Sequence, residues 1–150
     1  MSIFHSLNTS ASALTAQRLR MDTISSNIAN AETTRARINE DGEYEPYRRK
    51  MVSLEEQGAS FSSYLNRAKN TSEVGSGVRV AEITEDQEPF TMVYNPSHPD
   101  ADDQGYVAMP NVDPLEEMVD LMSATRSYEA NVTSINATKS MLMKALEIGK

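Results

Sequence analysis

The chain has 150 residues, a formal net charge of −8 from 22 acidic and 14 basic side chains, no Cys, no Trp, and 39% hydrophobic residues. That is enough for one domain with a modest core. The acidic balance argues against nucleic-acid binding, which needs a basic face to displace counterions from phosphate, and the lack of Cys removes disulfides, thiolate metal sites and a Cys nucleophile.

The imbalance of charge is local. Residues 1–31 carry one acid and two bases, residues 32–50 five of each, residues 51–113 eleven acids and three bases, and residues 114–150 five acids and four bases. Near-neutral ends on an acidic centre predict that the ends meet other protein while the centre meets water. The uncharged stretch Met1–Gln17 is too rich in Ser, Thr and Asn for a membrane span, and has no basic start for a secretory signal.

The first predicted element is a helix over residues 1–31. Its apolar side chains fall at Ile3, Leu7, Leu14, Met21, Ile24 and Ile28, and Leu7, Leu14, Met21 and Ile28 are seven residues apart, a heptad seam. Yet 13 of the 29 residues from Ser6 to Thr34 are Ser, Thr or Asn, which compete with helix by bonding their own backbone. Such a helix is expected to take its order from a partner surface.

Residues 32–113 read as a small β-rich insert. Tyr44–Leu54, Gly77–Ile83, Phe90–Tyr94 and Gly105–Met109 carry strand-type residues, separated by Gly, Asn and Pro clusters. Residues 57–76 are expected to form a mobile excursion.

The last element starts on a strong signal. Asp113 can cap, Pro114 suits the first helical position, and Glu116 completes a capping-box spacing. From there Met118, Leu121, Tyr128, Val132, Ile135, Leu142 and Leu146 follow a coiled-coil rhythm, and Gly149 offers a stop. The predicted fold is α+β: two long terminal helices, 1–31 and 114–150, pairing as a coiled coil, with the insert 32–113 between them. At 1.5 Å per residue the patterned spans Ile3–Ala31 and Pro114–Leu146 would be roughly 43 and 50 Å long, too long for both to be buried in a small core.

Candidate sites are few. Asp100, Asp102, Gln104 and Gly105 match the first positions of a calcium loop, but Asn111 stands where a bidentate Glu is needed. His98 beside Asp100 has no nucleophile or orienting group to make a catalytic set. Arg35, Arg37, Arg48, Arg49 and Lys50 form a basic cluster that five nearby acids can neutralise, so salt pairing is expected there. Neither a phosphate loop nor a metal or nucleophile motif occurs in the sequence. No catalytic residue, metal ligand, cofactor, nucleic acid or small-molecule substrate is expected. The alternative reading is a calcium-dependent or cell-wall-binding module that uses the acidic insert.

Two motifs carry a resemblance. Ser26-Asn27-Ile28-Ala29-Asn30-Ala31-Glu32-Thr33-Thr34 resembles the Ser-x-Asn-(apolar)-Ala-Asn signature of the flagellar axial rod and hook family. Gly105-Tyr106-Val107-Ala108-Met109-Pro110-Asn111-Val112-Asp113, with Arg126-Ser127-Tyr128-Glu129-Ala130-Asn131 and the Tyr94–Ala101 segment, is similar to the narrower pattern of its proximal-rod members. Residues 55–76 depart from it, being longer and richer in Ser and Asn than in compact members.

The resemblance implies a structural, non-enzymatic subunit of the bacterial flagellar basal body. It would polymerise through its terminal helices into a hollow rod that transmits torque and surrounds the export channel. Implied partners are copies of itself, the other proximal-rod proteins, the rod–motor junction and distal rod subunits, and the flagellar export apparatus. The implied location is outside the cytoplasmic membrane, reached by type III export without a cleaved signal peptide. The assembly interface is then expected at Leu7, Leu14, Met21, Ile24 and Ile28 and at Met118, Leu121, Tyr128, Val132, Ile135, Leu142 and Leu146. The motif residues are Ser26, Asn27, Ala29 and Asn30 with Pro110, Asn111 and Asp113; Asn27 and Asn30 are expected to tie down the helix end through side-chain to backbone hydrogen bonds.

Overall fold

The computed structural model describes residues 3–39, 42–57 and 77–148. The expected mobile excursion therefore lies outside the described residues, apart from Gln57, as does the stop at Gly149. In chain order the elements are α1 (Ile3–Ala29), β1 (Arg37–Ile38), β2 (Tyr44–Glu45), β3 (Lys50–Glu56), β4 (Val78–Glu85), β5 (Thr91–Tyr94), β6 (Tyr106–Met109) and α2 (Pro114–Ile148). The class is α+β, with a long helix at each end and a small β region between. The strands form two-stranded pairs, β1 with β2, β3 with β4 and β5 with β6.

The helices form in spite of their Ser, Thr and Asn content because those side chains bond back within the helix. Thr9 Oγ1 donates to His5 O at 2.9 Å, Ser12 Oγ to Thr9 O at 2.7 Å, and Thr138 Oγ1 to Ser134 O at 2.9 Å. Asn131 Nδ2 does the same to Ser127 O at 2.8 Å. A polar group satisfied in this way does not need the non-helical conformations that normally make these residues poor helix formers. At the start of α2, Asp113 Oδ1 accepts the Leu115 N–H at 2.8 Å, the expected cap.

Two compact units form, and each helix contributes to both. The first holds residues 1–20, 52–82 and 123–150. Its buried side chains are small, Ala16, Ala124 and Thr138. Gly77, at φ +109°, lies so close to α1 that a Cβ there would stand 2.5 Å from Ser12 Oγ, and Ser12 Oγ accepts the Val78 N–H at 3.1 Å. Only glycine suits that approach and that backbone region.

The second unit holds residues 21–51 and 83–122. Ile24, Tyr47 and Val107 are buried there with Pro46 and Pro110, beside the buried polar groups Thr23, Asn27, Glu45 and Glu117. The β5–β6 register sets Tyr94 opposite Tyr106, with ring centroids 5.3 Å apart in an edge-on contact. In β1–β2, Arg37 faces Glu45 and bonds it. Strand β1 was not expected from the sequence, since a two-residue strand leaves no periodicity to read.

Candidate assembly interface and its polar latch

The most ordered chemistry of the second unit is a buried polar cluster built on the motif residue Asn27. Its side-chain amide pairs with the backbone of Lys50 as a neighbouring strand would: Nδ2 donates to Lys50 O at 2.9 Å and Oδ1 accepts the Lys50 N–H at 3.0 Å. Nδ2 also donates to Glu117 Oε2 at 3.1 Å, and Oδ1 accepts from Tyr47 Oη at 3.0 Å. One side chain 1% exposed thereby joins α1, the start of β3 and the first turn of α2. Asn27 thus ties its helix to other elements, while Asn30 bonds within the helix end, Nδ2 to Ser26 O at 2.9 Å.

Glu117, also 1% exposed, would be costly without a counter-charge. Arg49 supplies it, donating from Nε to Glu117 Oε1 at 2.6 Å and from Nη2 to Glu116 Oε1 at 3.1 Å, with Asp86 Oδ2 3.8 Å from Nη1. Burial penalises the Arg49 charge, but the bonds and attraction of Glu117 and then Glu116 outweigh it and hold its pKa above the ordinary value. Glu116 thus contributes to this cluster as well as fitting the capping-box spacing. Asn111 completes it, accepting the Arg49 N–H at 2.9 Å and donating to Glu88 O at 3.2 Å. Pro110 is buried next to it, Ser26 and Asn30 are half-buried, and Ala29 is exposed.

The other arginines of the basic cluster are salt-paired, with Glu45 the one partner from the nearby acids and the others from farther along the chain, while Lys50 Nζ lies 5.6 Å from the centre of the Tyr47 ring. Arg35 bonds Asp100, Arg37 bonds Glu45 and Glu85, and Arg48 bonds Glu45 at 3.1 Å while lying 4.4 Å over the Phe90 ring. Hydrogen bonds from Arg35 and Thr34 hold the Asp100 carboxyl below its usual range, and the Arg37 bond does the same for Glu45. The carboxylates of the calcium-loop template are therefore already engaged. Asp100 faces Arg35, and Asp102 Oδ1 accepts the Gln104 and Tyr106 N–H groups at 2.9 and 2.8 Å. Among the described residues no group of three or more His, Asp or Glu could hold a metal ion. An open hollow of about 480 Å³ is lined by Asp22, Thr23, Ser26, Lys50, Ile83 and Glu85, without a nucleophile–base pair.

The expected interface residues divide by exposure. Ile24 is buried; Leu7, Leu14, Met21, Ile28, Leu121, Tyr128, Val132, Ile135 and Leu142 are half-buried; Met118 and Leu146 are exposed. On α2 the half-buried set shares a face with Ala124 and Thr138, so this stripe is partly covered within the chain itself. Sequence reasoning missed the uncovered apolar residues Leu115, Val119, Met122, Met141, Met143 and Ile148. Their signal was present, because Leu115, Met118, Val119 and Met122 are spaced three, four and seven apart, but a single heptad seam had been assigned to the helix.

Comparison with known proteins fits this arrangement. Residues 7–37 match the family model described as flagella basal body rod protein, and residues 103–148 match the one described as flagellar basal body rod FlgEFG protein C-terminal. The two matches cover most of α1 up to the first residue of β1, and β6 with α2, and they define the class as rod proteins of the flagellar basal body. Full-length relatives narrow it. The flagellar basal-body rod protein FlgC of Bacillus subtilis is 65% identical over all of both chains. That of Borreliella burgdorferi is 45% identical over 99% of this chain and 98% of its own, and that of Salmonella typhimurium 39% over all of both. The chain belongs to the FlgC family of flagellar basal-body rod proteins, and it is a structural subunit of that rod.

Proposed function

We infer that the chain polymerises through its terminal segments, residues 1–31 and 114–150, into the hollow proximal rod, with the two helices pairing as a coiled coil and the insert 32–113 directed away from the axis. In this reading it carries torque and lines the export channel, has no catalytic activity, and contacts copies of itself and other rod subunits. It reaches its site through the flagellar export apparatus without a cleaved signal peptide; among the described residues no helix is long and apolar enough to cross a membrane.

One observation carries the reading: large apolar side chains stand uncovered along α2, in a chain whose full-length relatives are rod proteins. Exposed apolar area of this kind is stabilised by burial against a neighbour at roughly 25 cal/mol per Å². A rod needs heterologous contacts, one face meeting a different face of the next subunit, so that the array propagates as a helix. Load would then pass as shear over many packed side chains.

The test is genetic and structural. Cells lacking the chain should form basal bodies without a rod and fail to swim, and the wild-type chain should restore both. Ile135→Asp should not restore them, because a charge in a packed helix seam is not accommodated. Intact rods in cells lacking the chain would overturn the reading.

A further inference from the structure

The chain has 9 Met and no Cys, so thioethers are its only sulfur. Their exposure is uneven. Met21 and Met109 are half-buried, Met51 is 40% exposed, and Met92 on β5 and Met118, Met122, Met141 and Met143 on α2 are 55% to 64% exposed. A thioether open to water is open to peroxide as well, so the folded chain offers its methionines in that order.

Two of the exposed methionines share a surface. Leu115, Met118, Val119 and Met122 form one stripe, on the side of α2 opposite the covered residues Glu117, Leu121 and Ala124. Met141 and Met143, two residues apart, fall on nearly opposite sides of the helix, so their oxidation changes no single face. Exposed Arg126 continues the stripe one turn beyond Met122. Helix side chains lean towards the N-terminus, which places the Arg126 guanidinium to donate to an oxygen on the Met122 sulfur.

The chemistry needs only a hydroperoxide. The Met sulfur attacks one oxygen of hydrogen peroxide, and the O–O bond breaks as an S–O bond forms. Sulfur loses two electrons to the peroxide, and the proton of the attacked oxygen passes to the departing hydroxide, which leaves as water. A flexible apolar side chain becomes a polar sulfoxide that accepts hydrogen bonds, and at Met118 and Met122 this turns half of the apolar stripe polar.

We propose that Met118 and Met122 form an oxidation site, and that hydroperoxides acting on it in the folded chain before assembly keep that chain out of the rod. The effect on the rod rests on the polymerisation reading above; the oxidation itself does not.

In the purified full chain treated with hydrogen peroxide, peptide mass spectrometry should find sulfoxide at Met118 and Met122 earlier than at Met21 and Met109. Equal rates at all four would remove the site. Two paired variants then test its effect: Met118→Leu with Met122→Leu, apolar and inert to peroxide, and Met118→Gln with Met122→Gln, polar like the sulfoxide. Both replacements are good helix formers, and an unchanged melting midpoint confirms that the variants fold. After peroxide treatment, cells with the wild-type chain should lose new rods while cells with the Leu pair keep them. The Gln pair should build none even without peroxide. Normal rods from the Gln pair, equal loss of new rods in the wild-type and Leu strains, or a Leu pair that builds none untreated would each overturn control by oxidation and leave the polymerisation reading intact. Rods that lack the chain in untreated wild-type cells would overturn that reading instead.

Discussion

Asn27 is a small residue with a wide reach: its amide has one donor group and one acceptor, and both are used twice, on the Lys50 backbone, Glu117 and Tyr47. Aspartate has the same shape but no donor, and it would set a second carboxylate against Glu117. Asn27→Asp is therefore expected to lower stability by about 3–5 kcal/mol at neutral pH, the cost of an uncompensated buried charge. A urea midpoint equal to that of the unaltered chain would refute the latch. Asp100 and Glu45 have folded pKa values below their ordinary 3.8 and 4.5, so their stabilisation is complete above those values and is lost as pH falls through the folded ones. Melting midpoints should fall between about pH 5 and pH 2, and fall less in Arg35→Ala, which has already lost the Asp100 pair. The sequence marked Asn27 and Asn111 as motif residues but gave no hint of Glu117, because a glutamate one position past a capping-box spacing reads as solvated until the fold shows what surrounds it.

At the scale of the element, each helix is one continuous rod whose two halves have different supports. In α1, Thr23, Ile24 and Asn27 are buried, whereas from Phe4 to Thr15 every side chain is exposed or half-buried. Hydrogen exchange in the dilute monomer should therefore be slow at residues 23–29 and fast at residues 4–15. Equal protection along α1 would show that the helix does not depend on its neighbours in that way. The helices themselves were legible, since the apolar spacing, the Asp113-Pro114 start and the Ser-x-Asn motif all survive in the structure with ends within about two residues. Which stripe faces inward was not legible. On α2 two apolar stripes share the helix, and periodicity cannot tell the one the chain covers from the one it leaves exposed.

For the whole molecule, the −8 charge resolves into an acidic middle, and part of that acid, Glu85, Asp86 and Asp100, is paired with the chain's own arginines. Because Asp100 and Asp102 are engaged, millimolar calcium should leave the melting midpoint unchanged; a clear rise would revive the calcium-dependent reading. The sequence by itself determined the α+β order, the two long helices, the cap at Asp113 and the kinship with rod proteins, because each is written in local spacing and residue type. Only the tertiary structure decided that Asn27, Arg49, Asn111 and Glu117 form one buried cluster, and that the Leu115–Met122 stripe stays uncovered. Burial and partnership depend on residues up to 90 positions apart being brought together, and no local pattern records that.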